Sequence, residues 1–164
     1  MKKKDIPIAT ERFDSYHQIT LEVLQNYGIK GILSDLDDTI VSHNYPKPDS
    51  QAEQWFSMLE KNGFKICLIS NNRKKRVAGF VQDLKIGYFC NSFKPSVHTV
   101  DTALAVMNIT KDEAVFIGDQ LFTDIRMANR AEIRSFLVKP VGNKATLFIR
   151  IKRVFERKIL NDMH

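Results

Sequence analysis

The chain has 164 residues, 43% of them hydrophobic and 27% charged, which suits one globular domain with its own core and excludes a disordered or fibrous protein. Its formal net charge is +6, but residues 139–164 hold seven Lys/Arg against two Asp/Glu, so the preceding part is close to neutral. That asymmetry points to an anionic surface as a partner, membrane or nucleic acid, and says nothing about the fold.

Residues 1–11 read as a basic lead-in. Lys2-Lys3-Lys4 is followed by Asp5 and the short Ile6-Pro7-Ile8 instead of a long apolar run, so neither a signal peptide nor a spanning helix is read and a cytoplasmic location is expected. A first helix is predicted over about 12–27, ended by Gly28, then a strand over about 29–35. Pro46 and Pro48 mark a loop. Ser50-Gln51-Ala52-Glu53 has capping-box spacing and opens a helix over about 51–62, with Ala52, Trp55, Phe56 and Leu59 on one face. Lys65 to Ser70 reads as a second buried strand, and 73–85 as a helix carrying Val77, Phe80, Val81 and Leu84. A weaker strand over 86–90, a helix over 96–108, a strand over 114–117, a short helix over 121–131 and a strand over 133–138 complete the alternation. Strands alternating with helices of this length predict an α/β fold, a three-layer Rossmann-like parallel sheet with helices on both faces. Cys67 and Cys90 form no C-x-x-C pair and read as buried reduced thiols.

Each predicted strand ends in a residue with phosphate chemistry. Asp35 and Asp37 follow the first, Ser70 the second, Lys94 the third, and Asp119 with Asp124 the fourth. Carboxyl ends of strands are where open α/β sheets bind ligands. Phosphoryl transfer needs a nucleophile, donors for the equatorial oxygens, a cation and a metal, and the set supplies each part. Taken singly, Ser70 reads as a helix cap, Lys94 as a surface lysine, Asp119 as a loop acid and Asp38 as a turn residue. Taken together and in order, they read as one site. A receiver domain of two-component signalling combines similar groups, but there the nucleophile follows a later strand.

Asp35-Leu36-Asp37-Asp38-Thr39, Ser70-Asn71-Asn72, Lys94-Pro95 and Gly118-Asp119-Gln120-Leu121-Phe122-Thr123-Asp124 resemble the four ordered motifs of the haloacid dehalogenase (HAD) phosphatases. The wording is similar to the capless subclass IIIA and its YqeG-like branch, which includes phosphatidylglycerophosphate phosphatases. The resemblance implies that Asp35 attacks phosphorus to form an aspartyl-phosphate and that Asp37 is acid and then base. It implies that Thr39 orients Asp37, that Ser70 and Asn71 bind the phosphoryl group, and that Lys94 neutralises its charge. The implied cofactor is Mg2+, held by Asp35, the Asp37 backbone carbonyl and Asp119, with Asp124 a direct or outer ligand; oxygen donors suit that hard ion. His43 and His98 are assigned no function, having no acidic partner at ligand spacing. Arg73-Lys74-Lys75-Arg76 reads as a solvated first turn lying near the site mouth.

Neither the stretch between Asp35 and Ser70 nor that between Ser70 and Lys94 has room for a lid domain, so an open site is expected. A large substrate, a membrane surface or a second subunit in a homo-oligomer would have to exclude water. A boundary is expected at 139–143, giving a domain over 1–143 that includes the N-terminal helix, and a C-terminal segment over 144–164. Within that segment Lys144 to Leu160 reads as a basic amphipathic helix, with Leu147, Phe148, Ile151, Val154, Phe155 and Ile159 as its apolar stripe. Such a helix could dock on the body or hold the protein reversibly at an anionic inner membrane face. Nucleic acid is the alternative partner, although no aromatic stacking platform with interleaved basic residues accompanies the tail. The functional expectation is a Mg2+-dependent phosphomonoesterase acting on phosphatidylglycerophosphate. The alternatives are the same chemistry on a soluble sugar, nucleotide or nucleic-acid-end phosphate, or a non-catalytic lipid- or RNA-binding adaptor.

Overall fold

The strand segments expected to be buried on both faces do form one parallel sheet. The structure, a computed structural model, describes residues 6–141. Six strands, β1 (Glu11–Phe13), β2 (Gly31–Ser34), β3 (Lys65–Ile69), β4 (Gly87–Phe89), β5 (Ala114–Gly118) and β6 (Arg134–Val138), lie in the order β1-β6-β5-β2-β3-β4. Every pairing is parallel. The chain runs from β2 outward to β3 and β4, then returns to the other side of β2 for β5 and β6. The sheet order therefore reverses between β2 and β5, and the cleft beyond their carboxyl ends is where this architecture opens a binding site.

Alternate residues of the central strands feed two cores. Ile32, Ile66, Leu68, Val115 and Ile117 face one side, with Trp55, Phe56 and Leu59 of α2 (Ser50–Lys61) and Phe80 of α3 (Lys74–Val81). Leu33, Cys67, Ile69 and Phe116 face the other, against Val100, Ala103 and Leu104 of α4 (His98–Met107) and Met127 and Ala128 of α5 (Arg126–Ala131). Burying each large apolar side chain contributes roughly 1.5–3 kcal/mol relative to leaving it exposed. Both faces being covered explains why β2 and β5 read as unbroken apolar runs rather than as alternations.

Three local details differ from the sequence expectation. The predicted first helix is a strand, a 3-10 turn over Tyr16–Gln18 and a short helix α1 (Leu21–Asn26). Ser15 and Thr20 divide the run, because their hydroxyls accept from the backbone N–H groups of His17 and Val23 and so cap two separate turns. Helix α2 is capped by Asp49, whose carboxylate accepts from Ala52 N–H at 2.8 Å, one residue before the expected Ser50. The short helix expected over 121–131 begins as a π-helical turn, Leu121–Ile125. Cys67 is buried, and burial pushes its thiol up to about 12; Cys90 is only half-buried, and both are free. The basic helix expected over 144–160 lies outside the described residues. Among the described residues no helix is long and apolar enough to cross a membrane.

Candidate active site

Hydrogen bonds from the sheet carry the first carboxylate into place. Asp35 N–H donates to the Ile117 carbonyl at 2.9 Å, so the residue after β2 remains tied to β5. Its carboxylate is nearly inaccessible to solvent, as are those of Asp119, just past β5, and Asp124, in the π-helical turn. Carboxylate oxygens of these three residues lie within 4.8 Å of one another. Gly118 makes that packing possible. A Cβ there would stand 2.4 Å from the Cβ of Asp124, so any side chain would displace the acid.

Lys94 reaches this cluster from the loop after β4. Its ammonium lies 2.7 Å from Asp35 Oδ1 and 2.7 Å from Asp124 Oδ1, and its side chain is 3% exposed. Lys94 is thus the one cation paired with two of the three buried carboxylates, so the buried cluster carries more acid than base. Burial is the main cause that pushes the Asp35 carboxyl up from its usual range, opposed by Lys94 and reinforced by Asp124. Burial also works to lower Lys94, but Asp124 and Asp35 outweigh it and hold the ammonium above its ordinary value. Asp124 has its second oxygen on the Gln120 backbone N–H at 3.0 Å, so both its oxygens are engaged.

The second and third strand ends are stitched together. Ser70 N–H donates to the Phe89 carbonyl, Ser92 N–H donates to the Ser70 carbonyl, and Lys94 N–H donates to Asn71 Oδ1 at 2.7 Å. Ser70 Oγ in turn accepts from Asn72 N–H at 3.1 Å. The result is a cavity of 360 Å³ whose walls include Asp35, Asp37, Ser70, Asn71 and Lys94. Thus Asp35, Asp37, Ser70, Asn71, Lys94 and the buried pair Asp119 and Asp124 are brought to one end of the sheet, with Thr39 among them.

Thr39 has different partners from those the resemblance implied. Its hydroxyl donates to Asp119 Oδ1 at 3.1 Å and lies 3.4 Å from Asp35 Oδ2, while the Asp37 carboxylate is held elsewhere. The backbone explains this. Asp38 adopts a left-handed φ of 63° and its N–H donates to the Val41 carbonyl, a tight turn that sends Thr39 back over the strand ends. Asp37 is instead bound by Arg76, through Nε at 3.1 Å and a terminal nitrogen at 2.8 Å, and by Asn72 Nδ2 at 3.1 Å.

Several cavity residues had no role in the sequence reading. Asn72, Gln120 and Thr123 line the wall, and so does His43, whose Nδ1 lies 3.2 Å from Asp38 Oδ1. The i, i+5 spacing of Asp38 and His43 gives no helical or strand signal, and only the turn brings them together. Arg76 was legible only as one of four consecutive cations.

A family model described as HAD-hydrolase-like matches residues 93–146. A Bacillus subtilis (strain 168) protein described as "Probable phosphatase YqeG" is 35% identical over 143 residues, covering 87% of this chain and 83% of that one. The chain belongs to the YqeG-like phosphatases of the HAD superfamily. The fold agrees. The cobalt-bound deoxy-D-mannose-octulosonate 8-phosphate phosphatase of Haemophilus influenzae superposes with a TM-score of 0.56 at 14% identity, over 77% of this chain and 75% of that one. The Mg-complexed phosphatase-containing N-terminal part of BF1531 from Bacteroides fragilis gives 0.51 at 18% identity, over 70% and 36%. In this HAD phosphatase the segment between Asp35 and Ser70 is occupied by a loop, α2 and β3, and that between Ser70 and Lys94 by α3 and β4, so neither holds a lid domain.

Proposed function

We propose that the chain is a Mg2+-dependent phosphomonoesterase that works through an aspartyl-phosphate on Asp35 and acts on phosphatidylglycerophosphate. The observation that carries the chemistry is the Lys94 ammonium set between Asp35 and Asp124 on the floor of an open cavity, with Asp119 beside them. An oxygen of Asp35 attacks phosphorus while the ester oxygen leaves as the alcohol, taking a proton from Asp37. Asp37 then removes a proton from water, which attacks the phosphoryl group and returns Asp35 as a carboxylate. Ser70 and Asn71 bind the non-bridging oxygens, and Lys94 stabilises their charge. Thr39 fixes the relative orientation of Asp119 and Asp35, as its hydrogen bonds support.

An all-oxygen, buried donor set fits a hard divalent ion. Asp35, Asp119 and the Asp37 backbone carbonyl would hold Mg2+, which when bound supplies charge neutralisation for the phosphoryl oxygens. Asp124, which accepts from Lys94 and from the Gln120 backbone N–H, would hold Lys94 in place and act as a direct or outer ligand to the ion.

The lipid substrate is supported by the lidless site, by the basic sequence of residues 144–164 and by membership of the YqeG-like branch. Residues 1–143 would act as the catalytic domain, with the basic tail at an anionic membrane surface. The test measures phosphate release from phosphatidylglycerophosphate in anionic vesicles beside a panel of soluble phosphoesters, with and without EDTA, and with Asp35→Asn as control. Metal-dependent release from the lipid that far exceeds the panel and vanishes in the variant is expected. Turnover confined to soluble esters would retain the phosphatase and discard the lipid.

A further inference from the structure

We infer that Arg76, with Asn72, is the positioning residue that aims the Asp37 carboxylate at the departing ester oxygen, an inference that rests on the reading of Asp37 as the acid/base group. Asp37 needs such help. It lies beyond the end of β2, where its one ladder-type contact among the described residues is a bridge to Val41, and the turn at Asp38 directs the Thr39 hydroxyl to Asp119 and Asp35. Among the described residues, the donors to the Asp37 carboxylate are Arg76 and Asn72, one on each oxygen. Two guanidinium nitrogens converge on Oδ1 and an amide holds Oδ2, which fixes both the direction of the carboxylate and the rotation of its plane.

The clamp is itself held. The Arg76 guanidinium packs over the Phe80 ring at 5.6 Å, and its other terminal nitrogen donates to the Pro46 carbonyl at 3.3 Å. Asn72 accepts from Arg73 N–H through its side-chain oxygen, which leaves its amide nitrogen pointing to Asp37. The side chains of Arg76 and Asp37 are 15% and 18% exposed, so the pair is partly shielded, while water can still reach either group when its partner is lost. Asp37 still lines the cavity, so the clamp orients the acid without removing it from the site. Helix α3 thus reaches the chemistry through a side chain in its first turn.

A structural tie between α3 and the loop after β2 would give the same contacts, so the test must read the leaving group. The full chain with Mg2+ is mixed in single-turnover experiments with phenyl phosphate or 2,4-dinitrophenyl phosphate, and release of the phenol is followed. In Arg76→Gln, release from phenyl phosphate, which needs a proton, should slow by about 100-fold, whereas release from the dinitrophenyl ester should change by less than about threefold. Arg76→Lys should recover part of the phenyl phosphate rate, because an ammonium keeps the charge but loses the fork. In an Asp37→Asn background, Arg76→Gln should add no further slowing. Equal slowing of both esters, a rise in KM with kcat retained, or full additivity with Asp37→Asn would each overturn the inference. Thermal melting of each variant identifies a folding failure, and in that case Arg76→Lys supplies the leaving-group comparison. An Asp37→Asn variant that released phenol from phenyl phosphate at the wild-type rate would overturn the acid/base reading itself, which is a different result from an enzyme that depends on Asp37 but whose Arg76 variants ignore the leaving group.

Discussion

The floor and the rim of the cavity are built by opposite means. On the floor, Asp35, Lys94, Asp119 and Asp124 come from segments at or beyond strand ends and are nearly dry; a backbone N–H takes part in anchoring three of them, Asp35 to β5, Lys94 to Asn71 and Asp124 to Gln120, and Asp119 accepts from Thr39. On the rim, Asp37, Arg76, Asn72 and His43 come from loops and the first turn of α3 and keep some contact with solvent; Asp37 is fixed by the side chains of Arg76 and Asn72, and His43 by that of Asp38. The difference is one of energetic coupling. Floor charges cannot lose a partner without leaving another charge buried, so chemistry and stability are tied together there. Rim groups can lose a partner to water, so their geometry can be changed with little cost to the fold.

The largest effect that tests this contrast is on turnover. Asp35→Asn should lower metal-dependent phosphate release by at least about 10³-fold, since the nucleophile is gone, while Lys94 retains Asp124 as its partner and the chain stays folded. Next in size, Lys94→Met should cost about 3–5 kcal/mol in urea unfolding, because Asp35 and Asp124 then share a dry site with no cation. A stability within experimental error of wild type would mean that water reaches the floor, and the contrast would fail. Gly118→Ala should cost about 1–3 kcal/mol and depress turnover, as the new methyl pushes Asp124 away from Lys94. The smallest effect belongs to the rim, where Arg76→Gln should unfold within about 1 kcal/mol of wild type even where its turnover is impaired. A stability loss as large as that of Lys94→Met would erase the distinction.

The same contrast decided what could be read from the chain. The doubly covered strands were legible because Ile32-Leu33, Ile66 to Ile69 and Val115 to Ile117 are continuous apolar runs ended by Asp, Ser or Gly-Asp. Asp35 and Asp119 lie at the ends of those runs, so locating a strand end located the residue, whereas Lys94 and Asp124 come from the loop after β4 and the turn after β5. Strand β1 was hidden where the expected lead-in met the predicted helix, because three residues, Glu11 to Phe13, carry no periodicity, and its place beside β6 is a long-range pairing. The rim was hidden for a related reason. Arg76 and Asp37 are joined across 39 positions, and one arginine among Arg73-Lys74-Lys75-Arg76 has no local mark to distinguish it. His43 finds Asp38 only because Asp38 takes a left-handed conformation, which a non-glycine residue seldom announces in sequence. Thr39 was expected to orient Asp37, but the same turn gave its hydroxyl Asp119 and Asp35 as partners.

The most direct test of the central claim is to trap the covalent intermediate. The full chain, Mg2+ and a phosphomonoester that it turns over would be quenched in acid during steady state and mapped by peptide mass spectrometry. The account predicts a phosphoryl group on Asp35, present with Mg2+ and absent in Asp35→Asn. Turnover by the wild type with no phosphorylated peptide, or with the phosphoryl group on another residue, would contradict it.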